Sequence, residues 1–192
     1  ADVDVDIEEN SNDTVNLIYN IDRGEKATIS EIKFIGDKKF KDRKLHSIIT
    51  SEESRFWKFI SKGKYLNIER INLDKRLLKN FYLDKGFYDV EISSSTVDYF
   101  NDNSFKLTYK IDAGELYTIN STKLELPDDY DEDNFKGVKK LLKKLNNETY
   151  SFNSISKVVN EIDKISLSRE FEFINAEIVE SKIDKNKLDI TF

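Results

Sequence analysis

The side chains most capable of chemistry are few, and their spacing argues against a reaction centre. The sequence holds one histidine, His46, and no cysteine. Thiolate nucleophiles, disulfides and cysteine metal sites are therefore ruled out. His46 directly follows Leu45 in an apolar-periodic stretch, so it reads as a surface or half-buried helix residue, and a single imidazole cannot make a histidine ligand cluster. Asp129, Asp131 and Asp133 repeat the opening alternation of a calcium loop. The position that needs glycine for the loop's sharp turn is Asn134, however, and the position that needs a bidentate glutamate is Lys140. A helix start explains the same acids, because Asp131 or Asp133 can cap and negative charge suits the helix dipole ahead of Val138. The 6 glycines form no phosphate-cradling loop. No catalytic residue, metal site or cofactor is expected.

Charge points the same way. The chain has 192 residues with 37 acids and 31 bases, giving −6 with the signs intermixed, which describes a solvated surface. The densest basic run, Lys139, Lys140, Lys143 and Lys144, falls inside an amphipathic helix pattern. It is not a basic face interleaved with aromatics, so no nucleic-acid partner is expected. With 13 Phe and 9 Tyr, the chain carries more core-type surface than a disordered one. The most apolar loop-like stretch is Phe56, Trp57, Phe59 and Ile60, flanked by Arg55, Lys58 and Lys62. It is a partner-binding patch, a membrane-surface contact or a cover over a helix pair. No apolar run approaches the roughly 20 residues of a membrane helix. Ala1 to Asp6 is neither basic nor apolar, so any targeting signal or anchor is expected outside this sequence.

An internal repeat organises the elements that must carry these residues. The run from Asn16 to Glu25 recurs from Lys106 to Glu115, and Ala27, Thr28 and Ile29 are answered by Tyr117, Thr118 and Ile119 at the same offset. Ahead of each copy lies a second alternating run, Val3, Val5, Ile7 and then Tyr88, Val90, Ile92, so each pair reads as a β-hairpin. A third hairpin closes the chain, from Ala176 and Ile178 through Asp184, Lys185 and Asn186 to Leu188, Ile190 and Phe192.

Between the hairpins the apolar period becomes helical. Leu45, Ile48 and Ile49 form a short stripe. Ile68, Ile71, Leu77, Leu78, Phe81 and Tyr82 form a longer one, with Asn67 as its N-cap. The plan repeats with Val138, Leu141, Leu142 and Leu145, then Ile155, Val158, Val159, Ile162 and Ile165, capped by Ser151 or Asn153. Each unit opens on a strand, Ile29 to Ile35 and Ile119 to Leu126. Since no helix buries its stripe alone, the expected fold is α+β. It comprises tandem βααββ modules, each a three-stranded mixed sheet with two antiparallel helices on one face. The expected division is a remnant hairpin over 1–25, a complete module over 26–115 and a second over 116–192. The remnant, marginal by itself, should pack on the first module near Asp22 to Lys26 or be mobile. Gly24 and Glu25, with Gly114 and Glu115, mark short joints between units.

The residues from Ile29 through Gly36, Phe40, Asp42, Arg43 and Leu45, then Tyr65, Asp74, Leu77, Phe81, Tyr82, Gly86 and Phe87, resemble a POTRA, or polypeptide-transport-associated, domain. The joint of Asp112, Gly114 and Glu115 leading into Tyr117 and Ile119 is similar too. The second unit departs at Leu126, Pro127 and Asp128 and at Arg169, Glu170 and Phe171. Among families with several consecutive units, the BamA family of outer-membrane assembly factors is the best match. The stretch from Lys39 to Gly86 resembles its third unit, so the chain would hold the tail of the second, the third and the fourth. Related polypeptide transporters and translocation-and-assembly proteins are the alternative. The resemblance implies a periplasmic location in a Gram-negative cell, ahead of a membrane β-barrel outside this sequence. It also implies partners: accessory lipoproteins such as BamB, and unfolded outer-membrane proteins.

A three-stranded sheet leaves edges, and an edge strand can pair with any extended chain. Phe105 to Ile111 should be central, which puts Tyr88 to Val97 at an edge. Tyr88, Val90, Glu91, Ile92, Ser93, Ser94 and Ser95 are therefore the expected partner-binding edge.

Overall fold

The computed structural model of the chain describes residues 2–9, 14–22, 26–55, 62–99, 103–128, 130–169 and 175–192. The apolar stretch of Phe56, Trp57 and Phe59 and the joint at Gly24 and Glu25 lie outside the described residues. The fold is α+β, a two-stranded ribbon followed by two βααββ modules.

In the ribbon, β1 (Asp2–Glu9) runs antiparallel to β2 (Val15–Asp22), with Val3 opposite Ile21, Val5 opposite Tyr19 and Ile7 opposite Leu17. Directly opposed residues share a face, so these six side chains make one apolar face. All six are exposed. Of the two outcomes expected from the sequence, packing on the first module is not seen for this face, because two strands alone bring no helix to cover it.

The first module consists of β3 (Thr28–Asp37), α1 (Asp42–His46), α2 (Ile68–Asp84), β4 (Glu91–Tyr99) and β5 (Ser104–Asp112). Its strand order is β3-β5-β4, with β5 parallel to β3 and antiparallel to β4. The helices and β4 lie between β3 and β5 in sequence and supply the long crossover that a parallel pair needs. On β5, Leu107, Tyr109 and Ile111 are buried while Lys110 and Asp112 are exposed, the alternation of a sheet covered on one side.

The N-cap of α2 is Asn67, whose Oδ1 accepts from the Arg70 N–H at 2.8 Å. Its buried line is Ile71, Asp74, Leu78 and Tyr82, spaced by three or four residues. Ile68, read from sequence as part of that stripe, is 74% exposed. Asp74 is fully buried and gathers four donors: the Thr50 N–H (2.6 Å), the Thr50 hydroxyl (2.7 Å), the Ser51 N–H (3.1 Å) and the Tyr109 hydroxyl (2.8 Å). This bonding also explains why the expected first stripe yields a helix of only 5 residues with Leu45 as its buried member. The Thr50 and Ser51 amides are held by α2, and the β-branched run Ile48, Ile49, Thr50 is a poor helix former. Ile48 and Ile49 pack on the core from the turn that follows.

Aromatic rings close one end of this core. Phe40 lies 4.9 Å from Phe81, 5.2 Å from Tyr82 and 5.9 Å from Phe87, all edge to face, the geometry favoured by ring quadrupoles. Ile29, Leu45, Leu78, Leu107 and Ile111 have no exposed surface, and each such side chain adds roughly 1.5–3 kcal/mol of burial energy against the entropy of ordering.

The second module repeats the plan with β6 (Thr118–Lys123), α3 (Lys136–Leu145), α4 (Phe152–Arg169), β7 (Val179–Asp184) and β8 (Lys187–Thr191), in the order β6-β8-β7. Ser151 caps α4, its Oγ accepting from the Ser154 N–H at 3.2 Å. β6 ends at Lys123, short of the expected Leu126; the parallel bonding runs on around Leu124, where the Phe192 N–H donates to the Lys123 carbonyl and the Glu125 N–H to the Phe192 carbonyl, and Pro127 then opens a turn that accepts from the Tyr130 N–H. Leu124 and Leu126 still pack on the core. The buried residues of the two modules form two separate clusters, with Leu83 of the first module packed at the fringe of both.

Candidate functional site

The residues that suggested chemistry have structural places. His46 is exposed on α1 and meets the Phe34 ring edge-on at 5.0 Å. Asp131 accepts from the Asp133 N–H at 2.9 Å, starting the short 3-10 turn Glu132–Phe135 ahead of α3, and Asp133 pairs with Lys136 at 3.2 Å. Asp129 lies outside the described residues. Among the described residues no His, Cys, Asp and Glu side chains are grouped to hold a metal ion.

The sheet edges differ from one another. The outer side of β3 is sealed by the module's own loop: the Ile29 carbonyl accepts from the Ser54 N–H, the Ile32 N–H donates to the Glu53 carboxylate at 3.1 Å, and Thr28 bridges to Tyr65. The outer side of β6 is sealed likewise, with Ile119 bonded to Glu148 and Asn147, and Thr118 bridging to Thr149. On β7, Glu180 and Lys182 are held by side chains of the first module. Among the described residues, β4 has bonds to β5 on one side and none on the other. A cleft of about 1020 Å³ lies between β4 and α2, with Val90 and Ile92 on one wall and Lys75, Arg76 and Lys79 on the other.

The expected edge residues therefore separate into two groups. Glu91, Ile92, Ser93, Ser94 and Ser95 lie on β4, Ile92 packing on the core and Glu91, Ser93 and Ser95 exposed. Val90 precedes the strand and is buried. Tyr88 is not on the strand, contrary to the sequence reading. It lies in the turn after α2 and points into the second module, because Gly86 and Phe87 reverse the chain before β4 begins.

Tyr88 enters a joint between the modules. Its ring lies 5.4 Å from Tyr117 and 5.1 Å from Tyr150. The Tyr88 and Tyr150 hydroxyls both donate to Glu180, at 2.8 and 2.9 Å. Burial, then the Glu180 carboxylate, pushes the Tyr88 hydroxyl up to about 12, and raises Tyr150 for the same reasons. Asp89 accepts from Lys182 at 2.5 Å and from the Tyr117 hydroxyl at 2.7 Å. The Lys182 ammonium, with that hydroxyl, holds the Asp89 carboxyl below the usual carboxylate range. The carbonyl of Gly86, a residue at φ +91, accepts from the Tyr117 N–H at 2.8 Å, and a Cβ there would fall 2.5 Å from the Thr149 methyl. Gly114, at φ +66, and Glu115 form the link into β6, where Gly114 passes close to Asp89.

Residues 27–114 match the family described as POTRA, a surface antigen variable number repeat. The match spans the first module, from the residue before β3 to the end of β5. Along most of its length the chain is similar to outer membrane protein assembly factor BamA of Buchnera aphidicola subsp. Acyrthosiphon pisum, 28% identical over 186 residues that cover 93% of this chain and 28% of that protein. BamA of Neisseria meningitidis serogroup B is 26% identical over 148 residues, covering 77% of this chain and 18% of the relative. The chain thus spans about a quarter or less of the curated relatives' length. Among solved structures, the Haemophilus influenzae BamA POTRA3-5 fragment superposes with TM-score 0.66 at 14% identity, over 98% of this chain and 69% of that one. Haemophilus ducreyi BamA lacking POTRA domains 1-3 gives TM-score 0.61 at 15% identity, over 85% of this chain and 28% of that one. The βααββ fold of the POTRA domain extends to the second module.

Sequence reasoning placed the joint of the two modules at Gly114 and Glu115, leading into Tyr117, and named Ser151 only as a cap candidate; it missed Asp84, Asp89, Tyr150, Glu180 and Lys182. One signal was present: the repeat pairs Ala27 with Tyr117, a change from small to aromatic at the point where the second module meets the first. The carboxylates carry no such mark, since each is one of 37 acids.

Proposed function

We propose that this chain is a non-catalytic, periplasmic part of an outer-membrane β-barrel assembly machine, a scaffold that holds extended polypeptide against the edge of β4. The POTRA match and the relatives' description as outer membrane protein assembly factors support the setting. The mode of binding is supported by one observation: loops cover the first residues of β3 and β6 and side chains of the first module hold β7, whereas β4 borders an open cleft beside α2. Backbone pairing at such an edge needs no particular client sequence, which suits a machine with many clients. The proposed partners are unfolded outer-membrane proteins and an accessory lipoprotein of the BamB kind. Residues 26–115 and 116–192 are proposed as the third and fourth POTRA units, and residues 1–25 as the closing hairpin of the second.

Proline scanning of β4 tests this reading. Outward-facing donors alternate along an antiparallel strand, so Ser93→Pro and Ser94→Pro are compared. The one whose N–H points away from β5 should keep the fold by circular dichroism and lose capture of an outer-membrane β-strand peptide. Unchanged capture by that folded variant overturns the reading.

A further inference from the structure

The wall of the cleft opposite β4 is charged in a way that the helix does not explain. Lys75, Arg76 and Lys79 line it from α2, and among the described residues none of the three has an ion pair. Lys75 and Lys79 stand four apart, where like charges destabilise a helix. They also sit ahead of its last turn, which holds no basic residue, so the helix dipole does not account for them. Glu69 is the one acid on that wall. On the sheet side Lys110 lies near Glu91 and Asp112, across the β4–β5 register, which leaves one negative charge there, so the cations are concentrated on the α2 wall.

Resting on the strand-addition reading, we infer that the β4 cleft selects extended polypeptide carrying acidic side chains at every second position. A strand laid beside β4 turns alternate side chains toward α2. Those side chains recur about every 6.6 Å along a strand, and four residues of helix rise about 6 Å. Two carboxylates two positions apart on the guest therefore fall in step with Lys79 and Lys75, with Arg76 between them. The guest's other side chains fall on the outer face of the sheet, beside Glu91 and Ser93. The whole chain carries −6, so an unlocalised field would repel such a guest, and the preference has to come from this wall.

The test uses the full 192-residue chain and three short alternating peptides with valine at one parity and Glu, Gln or Lys at the other. Dissociation constants are read by fluorescence anisotropy at low and high salt. The Glu peptide should bind about three- to tenfold more tightly than the Lys peptide at low salt, the range expected for a few exposed ion pairs, with the gap narrowing at high salt. The triple variant Lys75→Gln, Arg76→Gln, Lys79→Gln should erase the gap. The double variant Lys143→Gln, Lys144→Gln on α3 should leave it intact. Equal binding of all three peptides overturns the charge preference while leaving strand addition standing. No binding of any peptide overturns both. Loss of the gap in the α3 variant also overturns the assignment to this wall.

Discussion

Asp84, the last residue of α2, caps a helix of the other module: its Oδ1 accepts from the Ser151 hydroxyl at 2.7 Å and from the Asn153 N–H at 3.3 Å. A carboxylate at the C-terminus of its own helix opposes that helix's dipole, but at the N-terminus of α4 it complements one. The module joint is thus built partly from a helix start that cannot be completed within one unit. Replacing Asp84 with Ala should cost about 1 kcal/mol, the usual value of a cap. Amide exchange in the first turn of α4 should accelerate, while exchange in α2 stays unchanged. Equal exchange at Asn153 and Ser154 in both proteins would show that the cap adds nothing.

Asp74 should be the most sensitive single position of the first module. Asp74→Ala removes the acceptor of the Thr50 and Ser51 N–H groups and of two hydroxyls at once, and bonds to a charged acceptor are individually worth roughly 1.5–3 kcal/mol. A loss of at least about 3 kcal/mol in urea unfolding is expected, against about 1 kcal/mol for Tyr109→Phe, which removes one bond and keeps the ring.

Gly86→Ala places a methyl group against Thr149 and forces an L residue to φ +91. Strain of this kind costs about 1–3 kcal/mol. Because the clash is with the second module, a companion Thr149→Ser change, which removes that methyl group, should restore part of the loss. No restoration would mean that the cost is confined to the backbone.

The Asp89–Lys182 pair makes the joint sensitive to extremes of pH. The Asp89 carboxyl titrates below its ordinary value because of Lys182, so its contribution is complete above the unfolded carboxylate range and falls away as pH drops through the lowered value. Lys182 titrates above its ordinary value because of Asp89. Its contribution is therefore complete below the unfolded amine range and disappears as pH rises through the raised value. The difference in melting temperature between wild type and Asp89→Asn should be flat from about pH 5 to about pH 9 and shrink on either side. A difference that grows on acidification would contradict the pairing.

Much of this protein is written locally. Alternation and the change to helical spacing place every strand and helix, Asn67 and Ser151 announce the helices they cap, and the recurrence of Asn16–Glu25 as Lys106–Glu115 declares a repeated unit. These features are legible because a periodic pattern records which face of one element will be buried, whatever it packs against. Which edge stays open is a different matter. Tyr88 shares the alternation of Val90 and Ile92, yet it turns into Tyr117 and Tyr150. The acids Asp84, Asp89 and Glu180 look like any others until the chain brings Ser151, Lys182 and two tyrosines to them across 30 to 93 residues. Sealing of β3 and β6, the cation wall beside β4 and the joint all depend on meetings between distant segments, and those are decided when the cores close, since no residue's neighbours along the chain reveal its neighbours in space.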